Sequence, residues 1–112
     1  MDIDQYKDAF LSDAALAMSK VRLALAALMK DPGDEHALFD VMRIFHSLKS
    51  SAAMMQYKPL SDAAADQETL YTQIIDAKGR APAEDIAGTL RIVDGIEAAL
   101  MEIKRGEGCP QI

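Results

Sequence analysis

The stretch with most chemical potential is Phe45-His46-Ser47-Leu48-Lys49-Ser50-Ser51-Ala52-Ala53. On a helix each residue turns by about 100°, so His46, Lys49, Ser50 and Ala53 form one narrow stripe, with Phe45, Leu48 and Ala52 turned to the core beside it. The stripe offers an imidazole, an ammonium one turn on, and beyond them side chains small enough for another protein to approach. These are the requirements of phosphoryl transfer through histidine. A neutral ring nitrogen acts as nucleophile, a nearby cation stabilises the moving oxygens, and open surface lets donor and acceptor close over the same atom. The spacing His-x-x-Lys alone is common on helices, and a structural bundle with His46 incidental is the competing reading.

Four segments of helical period can hold this stripe. The first runs from about Asp4 to Lys30, with Tyr6, Phe10, Ala14, Ala17, Val21, Ala24 and Leu28 repeating at threes and fours, and Asp31-Pro32-Gly33 ends it. The second fits Glu35 to about Met55, with Asp34 as N-cap and a buried stripe of Leu38, Val41, Phe45, Leu48, Ala52 and Met55. The third fits Pro59 to Lys78, with Pro59 in a first helical position, Leu60, Ala64, Leu70, Tyr71 and Ile74 inward, and Gly79 as stop. The fourth starts near Pro82, carries Ile86, Leu90, Val93, Ile96, Leu100 and Ile103, and breaks at Gly106, Gly108 and Pro110. Gly88 and Gly95 inside it weaken the helix or mark close helix contacts. Short connections between amphipathic helices predict an all-α, antiparallel up-down-up-down four-helix bundle over residues 1–105, with 106–112 as a flexible tail or linker.

Composition agrees. Half of the 112 residues are hydrophobic, yet six are aromatic and none is Trp, so Ala, Leu and Met, all strong helix formers, supply the core. The net charge of −6 argues against nucleic acid or an anionic membrane as partner. No apolar run is long enough to span a bilayer, and the acidic start is unlike a signal peptide. The single cysteine, Cys109, offers neither a disulfide framework nor a metal pair, and a reducing, cytoplasmic setting is expected. No metal or other cofactor is expected. His36, three turns from His46 and about 80° round the helix, is too far to share a metal with it. The methionines read as core filling, although Met54, at the end of the second helix, could line a docking patch.

With these residues in place, the sequence resembles the histidine-phosphotransfer domains, most closely the N-terminal phosphotransfer domain of the chemotaxis histidine kinases, the CheA family. Met1-Asp2-Ile3-Asp4-Gln5-Tyr6-Lys7 with Phe10 resembles their opening. Ile44-Phe45-His46-Ser47-Leu48-Lys49, preceded by Arg43, matches their core motif, and Leu60 and Glu68 follow at the expected distances. The resemblance spans about residues 1–104. It implies His46 as the phosphorylated residue, Lys49 as support for the phosphoryl oxygens, and Glu68 as the carboxylate that bonds the far ring nitrogen. Such a carboxylate would fix the tautomer and leave Nε2 as nucleophile. If the turn lies at 56–58, His46 and Glu68 each stand about eleven residues from it, at nearly the same height on antiparallel helices.

The resemblance further implies a kinase ATP-binding domain as phosphoryl donor and a response-regulator receiver domain as acceptor. It implies a monomer, no catalysis by the isolated domain, and origin as a fragment of a CheA-like kinase or as a free-standing module. Departures from the family are Ser50 and Ser51 in place of glycines, Gln56 in place of a turn glycine, and Ala65 in place of a second histidine. Ser50, Ser51, Ala53 and Met54 are the expected partner-facing residues.

Overall fold

A computed structural model describes residues 3–112, with side chains from Asp4 onward; Met1 and Asp2 of the opening motif lie outside the described residues. Four helices are present, α1 (Ile3–Lys30), α2 (Glu35–Met54), α3 (Lys58–Asp76) and α4 (Ala83–Lys104), with no strand among the described residues. At 1.5 Å per residue the 28 residues of α1 span about 42 Å, matching the 43 Å long axis of the molecule. α1 packs on both α2 and α4, α2 packs most extensively on α3, and α3 and α4 touch least. This is the predicted up-down-up-down bundle.

Capping follows the local sequence. Asp34 caps α2, its carboxylate accepting the Ala37 N–H at 3.1 Å, and Pro59 stands in the first turn of α3. α2, α3 and α4 end in the same way. A left-handed residue lets its own N–H and the next one reach back over the last turn: Gln56 and Tyr57 to Ala53 and Ala52, Lys78 and Gly79 to Ile75 and Ile74, Gly106 and Glu107 to Ile103 and Glu102. The stop of α3 is therefore Lys78, with φ of 50°, one residue before the expected Gly79.

The predicted stripe of α2 is buried from Leu38 to Ala52, and Met55 is half-buried. In α1 the stripe is corrected. Met18 and Leu25 are fully buried, Ala17 is partly exposed, and Tyr6 is 55% exposed. Phe10 against Tyr57, ring centroids 5.3 Å apart, is the last core layer, and Tyr6 lies a turn beyond it. In α3 only Leu60, Ala64 and Tyr71 are fully buried. Gly95 faces the chain's own tail, since a Cβ there would stand 3.1 Å from Ile112, so its role is not a close helix contact. Residues 106–112 include two left-handed glycines, Gly106 and Gly108, and bring a partly buried Cys109 against the core.

Candidate functional site

Phe45, Leu48 and Ala52 anchor α2 in the core with 4% exposure or less, so the residues about 100° round, His46 and Lys49, must face outward along the α2–α3 edge. The His46 side chain is 59% exposed. The turn at 55–57 returns α3 antiparallel, and Glu68 arrives opposite His46 as the residue count predicts. Its carboxylate is engaged at both oxygens. Oε2 lies 2.5 Å from His46 Nδ1, and Oε1 accepts from Lys49 Nζ at 2.6 Å.

Glu68 is 18% exposed, so this carboxylate is removed from most of its water. The Lys49 hydrogen bond holds it below the ordinary carboxylate value near 4.5; partial desolvation opposes this, and the His46 hydrogen bond adds to it. An ionised carboxylate only accepts, so His46 Nδ1 carries the proton, and in the neutral ring the lone pair is then on Nε2. Nε2 has no hydrogen-bond partner among the described residues. The arrangement is an exposed imidazole held at Nδ1, with an ammonium paired to the same carboxylate.

Lys49, for which the resemblance implies support of the phosphoryl oxygens, lies one helical turn from His46 and pairs with Glu68. Ser50 and Ser51 turn their hydroxyls onto the carbonyls of His46 and Ser47, at 3.4 and 3.0 Å, which leaves the surface beside His46 low. Ala53 is exposed and Met54 is 85% exposed. His36 is highly exposed and pairs with Asp40 at 3.4 Å, apart from His46. Among the described residues no group of three or more His, Cys, Asp or Glu side chains could hold a metal, and no helix is long and apolar enough to cross a membrane.

Two features were missed by the sequence reading. A groove of about 620 Å³ runs between α1 and α2 beside the His46 stripe, lined in part by Phe10, Leu16, Lys20, Arg43, Ser47 and Ser51. Leu16, 56% exposed, was the available signal, as an apolar residue off the core stripe. Ser61 on α3 donates to the Lys49 carbonyl at 3.1 Å, a tie between residues twelve apart that leaves no mark in periodicity.

Comparison with known proteins gives one family and two kinds of relative. The Hpt domain family model matches residues 5–105. The chain is 29% identical over 102 residues to the chemotaxis protein CheA of Halobacterium salinarum, covering 91% of this chain and 15% of that protein. It is 34% identical over 61 residues to the chemotaxis protein CheA of Bacillus subtilis, covering 54% of this chain and 9% of that one. The chain thus spans a small part of the length of the curated relatives it matches. The solved CheA phosphotransferase domain from Thermotoga maritima superposes with a TM-score of 0.87, covering 92% of this chain and 98% of that one, at 17% identity, a likeness of fold.

Proposed function

The chain belongs to the Hpt domain family, and from that premise we propose that it is a phosphorelay carrier of chemotaxis-type two-component signalling, with His46 as the residue phosphorylated. The observation that carries this reading is Glu68 holding Nδ1 while Nε2 of an exposed ring stays open. In the forward step the Nε2 lone pair forms a bond to the γ-phosphorus of ATP held by a kinase domain, and the bond from that phosphorus to the ADP oxygen breaks. The ring becomes an N-phosphoryl imidazolium, and its Nδ1 proton faces a carboxylate that stabilises the new positive charge. In the return step a carboxylate oxygen of a receiver-domain aspartate attacks the same phosphorus. The N–P bond breaks and neutral imidazole is regenerated. Lys49, with a flexible stem one turn away, meets the phosphoryl oxygens as their charge develops.

The partners are a histidine-kinase ATP-binding domain as donor and a response-regulator receiver domain as acceptor. The surface offered to them is the low stripe Ser50, Ser51 and Ala53, with Met54 and the α1–α2 groove at its flanks. The isolated domain acts as a monomeric substrate and carrier in the cytoplasm, and catalysis belongs to the kinase domain. A purely structural adaptor would have no use for an imidazole held in one tautomer at the surface. Incubation with an ATP-dependent histidine-kinase domain and γ-labelled ATP tests the reading. Label that is lost in acid, survives base and disappears in His46→Gln supports it; absence of label, or label elsewhere, overturns it.

A further inference from the structure

Among the described residues one polar cluster is buried, and it lies between the two helices that pack least. Thr89 of α4 is 1% exposed and Tyr71 of α3 is fully buried. Their hydroxyls are 2.7 Å apart, and Thr89 Oγ1 also lies 2.7 Å from Gln67 Oε1 and 2.9 Å from the Asp85 carbonyl. Tyr71 donates to Thr89, whose single proton is shared between the Gln67 and Asp85 oxygens. Every member is satisfied, as buried polar groups must be.

α3 packs extensively on α2 but little on α4, and on the α4 side this cluster supplies its directional contacts. The fully buried residues of α3 are Leu60, Ala64 and Tyr71, with Leu70, Ile74 and Ile75 partly buried beside them, and apolar packing of this kind is not directional. Hydrogen bonds are directional and do not tolerate rolling about the helix axis. Gln67 and Tyr71, four residues apart, share the face turned to α4, and Glu68, about 100° from Gln67, is thereby aimed at α2. A carboxylate stands roughly 6 Å from its helix axis, so a roll of about 20° would move it by about 2 Å. That displacement breaks contacts of 2.5 and 2.6 Å to His46 and Lys49.

We propose that Thr89, through its hydrogen bonds to Tyr71 and Gln67, is a positioning residue that sets the rotation of α3 and so holds Glu68 against His46 Nδ1. The proposal deepens the phosphotransfer reading and rests on it for its kinetic consequence. Thr89→Val, nearly isosteric, removes the hydroxyl, and Thr89→Ser restores it. In the full chain, labelled for NMR, the His46 Nδ1 proton held by Glu68 should give a downfield signal; Thr89→Val should broaden or lose it with helix content retained, and Thr89→Ser should keep it. The rate of His46 phosphorylation by a histidine-kinase domain should fall about threefold to tenfold in Thr89→Val and stay within about twofold of the parent in Thr89→Ser.

If Thr89→Val keeps both the signal and the rate while its melting temperature drops, the cluster serves stability alone and the proposal is overturned. If the parent chain accepts no phosphoryl group, the phosphotransfer reading fails, and the Nδ1 proton signal alone decides whether Thr89 positions Glu68. Should Thr89→Val not fold, Gln67→Met, which keeps the Tyr71–Thr89 bond, is judged by the same two measurements.

Discussion

Two edges of this bundle carry ion pairs that bridge neighbouring helices, and they differ in what they leave open. On the α1–α4 edge, Arg22 NH2 reaches Asp94 and Glu97, each at 2.5 Å. On the α2–α3 edge, Glu68 holds Lys49 and His46 at 2.6 and 2.5 Å. The Arg22 cluster is electrostatically closed. A guanidinium is always charged and has no lone pair, and the hydrogen bonds to Glu97 and then Asp94 raise its proton affinity further. At the other edge the shared partner is the carboxylate, and one of the groups it holds is an imidazole with a second nitrogen. Holding that ring at Nδ1 leaves Nε2, in the proposed function the nucleophile, free of Glu68. Similar charges in similar geometry thus give a clamp in one place and, under the proposed function, a reactive site in the other.

The largest test of this difference is to remove the nucleophile. His46→Gln should abolish acid-labile labelling completely while circular dichroism shows an unchanged helix content, because the ring lies outside the core. The matched change at the other edge, Arg22→Gln, should leave labelling intact and lower the melting temperature slightly, as exposed ion pairs do. Loss of labelling in Arg22→Gln would erase the distinction between the two edges.

Next in size is the carboxylate. Glu68→Ala should slow phosphorylation by about tenfold, roughly 1.4 kcal/mol in the barrier, because the ring then loses both its tautomer and its orientation. Lys49→Ala should cost less, about fivefold or roughly 1 kcal/mol, since a partly exposed ammonium near developing charge is a modest contributor. A Lys49 effect that exceeds the Glu68 effect would reverse the assignment of which residue organises the site.

Acid separates the same contributions. Glu68 has a folded-state pKa below its ordinary 4.5, so between the two values the folded chain binds fewer protons than the unfolded one, and stability rises with pH. Its contribution is fully present above about 4.5 and fades as pH falls through the lower folded-state value. The stability gap between the parent chain and Glu68→Gln, followed by urea unfolding, should therefore be constant near neutrality and shrink below pH about 4.5. A gap that grows in acid would contradict the geometry.

Much of this was legible in the sequence. α2 announces itself because Asp34 caps it and Leu38, Val41, Phe45, Leu48 and Ala52 keep helical period; once that stripe is buried, His46 has to be exposed. Glu68 could be placed by counting residues either side of a short turn, since antiparallel helices rise equally. Flexible side-chain ends were not legible, and the pairing of Lys49 with Glu68 leaves no mark in the spacing. Choices between apolar neighbours were not legible either. In α1 both Ala17 and Met18 fit a stripe, and the packing of two adjacent helices selects Met18. Nor does Thr89 stand out, because a buried hydroxyl looks like any surface threonine until its partners are known.

The smallest effect sharpens the comparison from the opposite side, by adding stability beside the site without touching its chemistry. Gln56 joins α2 to α3 with φ of 63°, a conformation that brings Cβ too close to the backbone and that glycine adopts freely. Relief of that strain is offset in part by the greater freedom glycine has in the unfolded chain. Gln56→Gly should therefore stabilise the domain by about 0.5–1 kcal/mol, a rise of roughly 2–4 °C in Tm. Its N–H still bonds to the Ala53 carbonyl, so the turn keeps its shape, and Glu68 still faces His46. The phosphorylation rate should stay unchanged. Lys78→Gly, at the equivalent position after α3 with φ of 50°, is the control far from the site and should give a gain of similar size. If Gln56→Gly alone changes the rate, the turn itself tunes the distance between α2 and α3, and the chemistry of this edge extends to the loop that closes it.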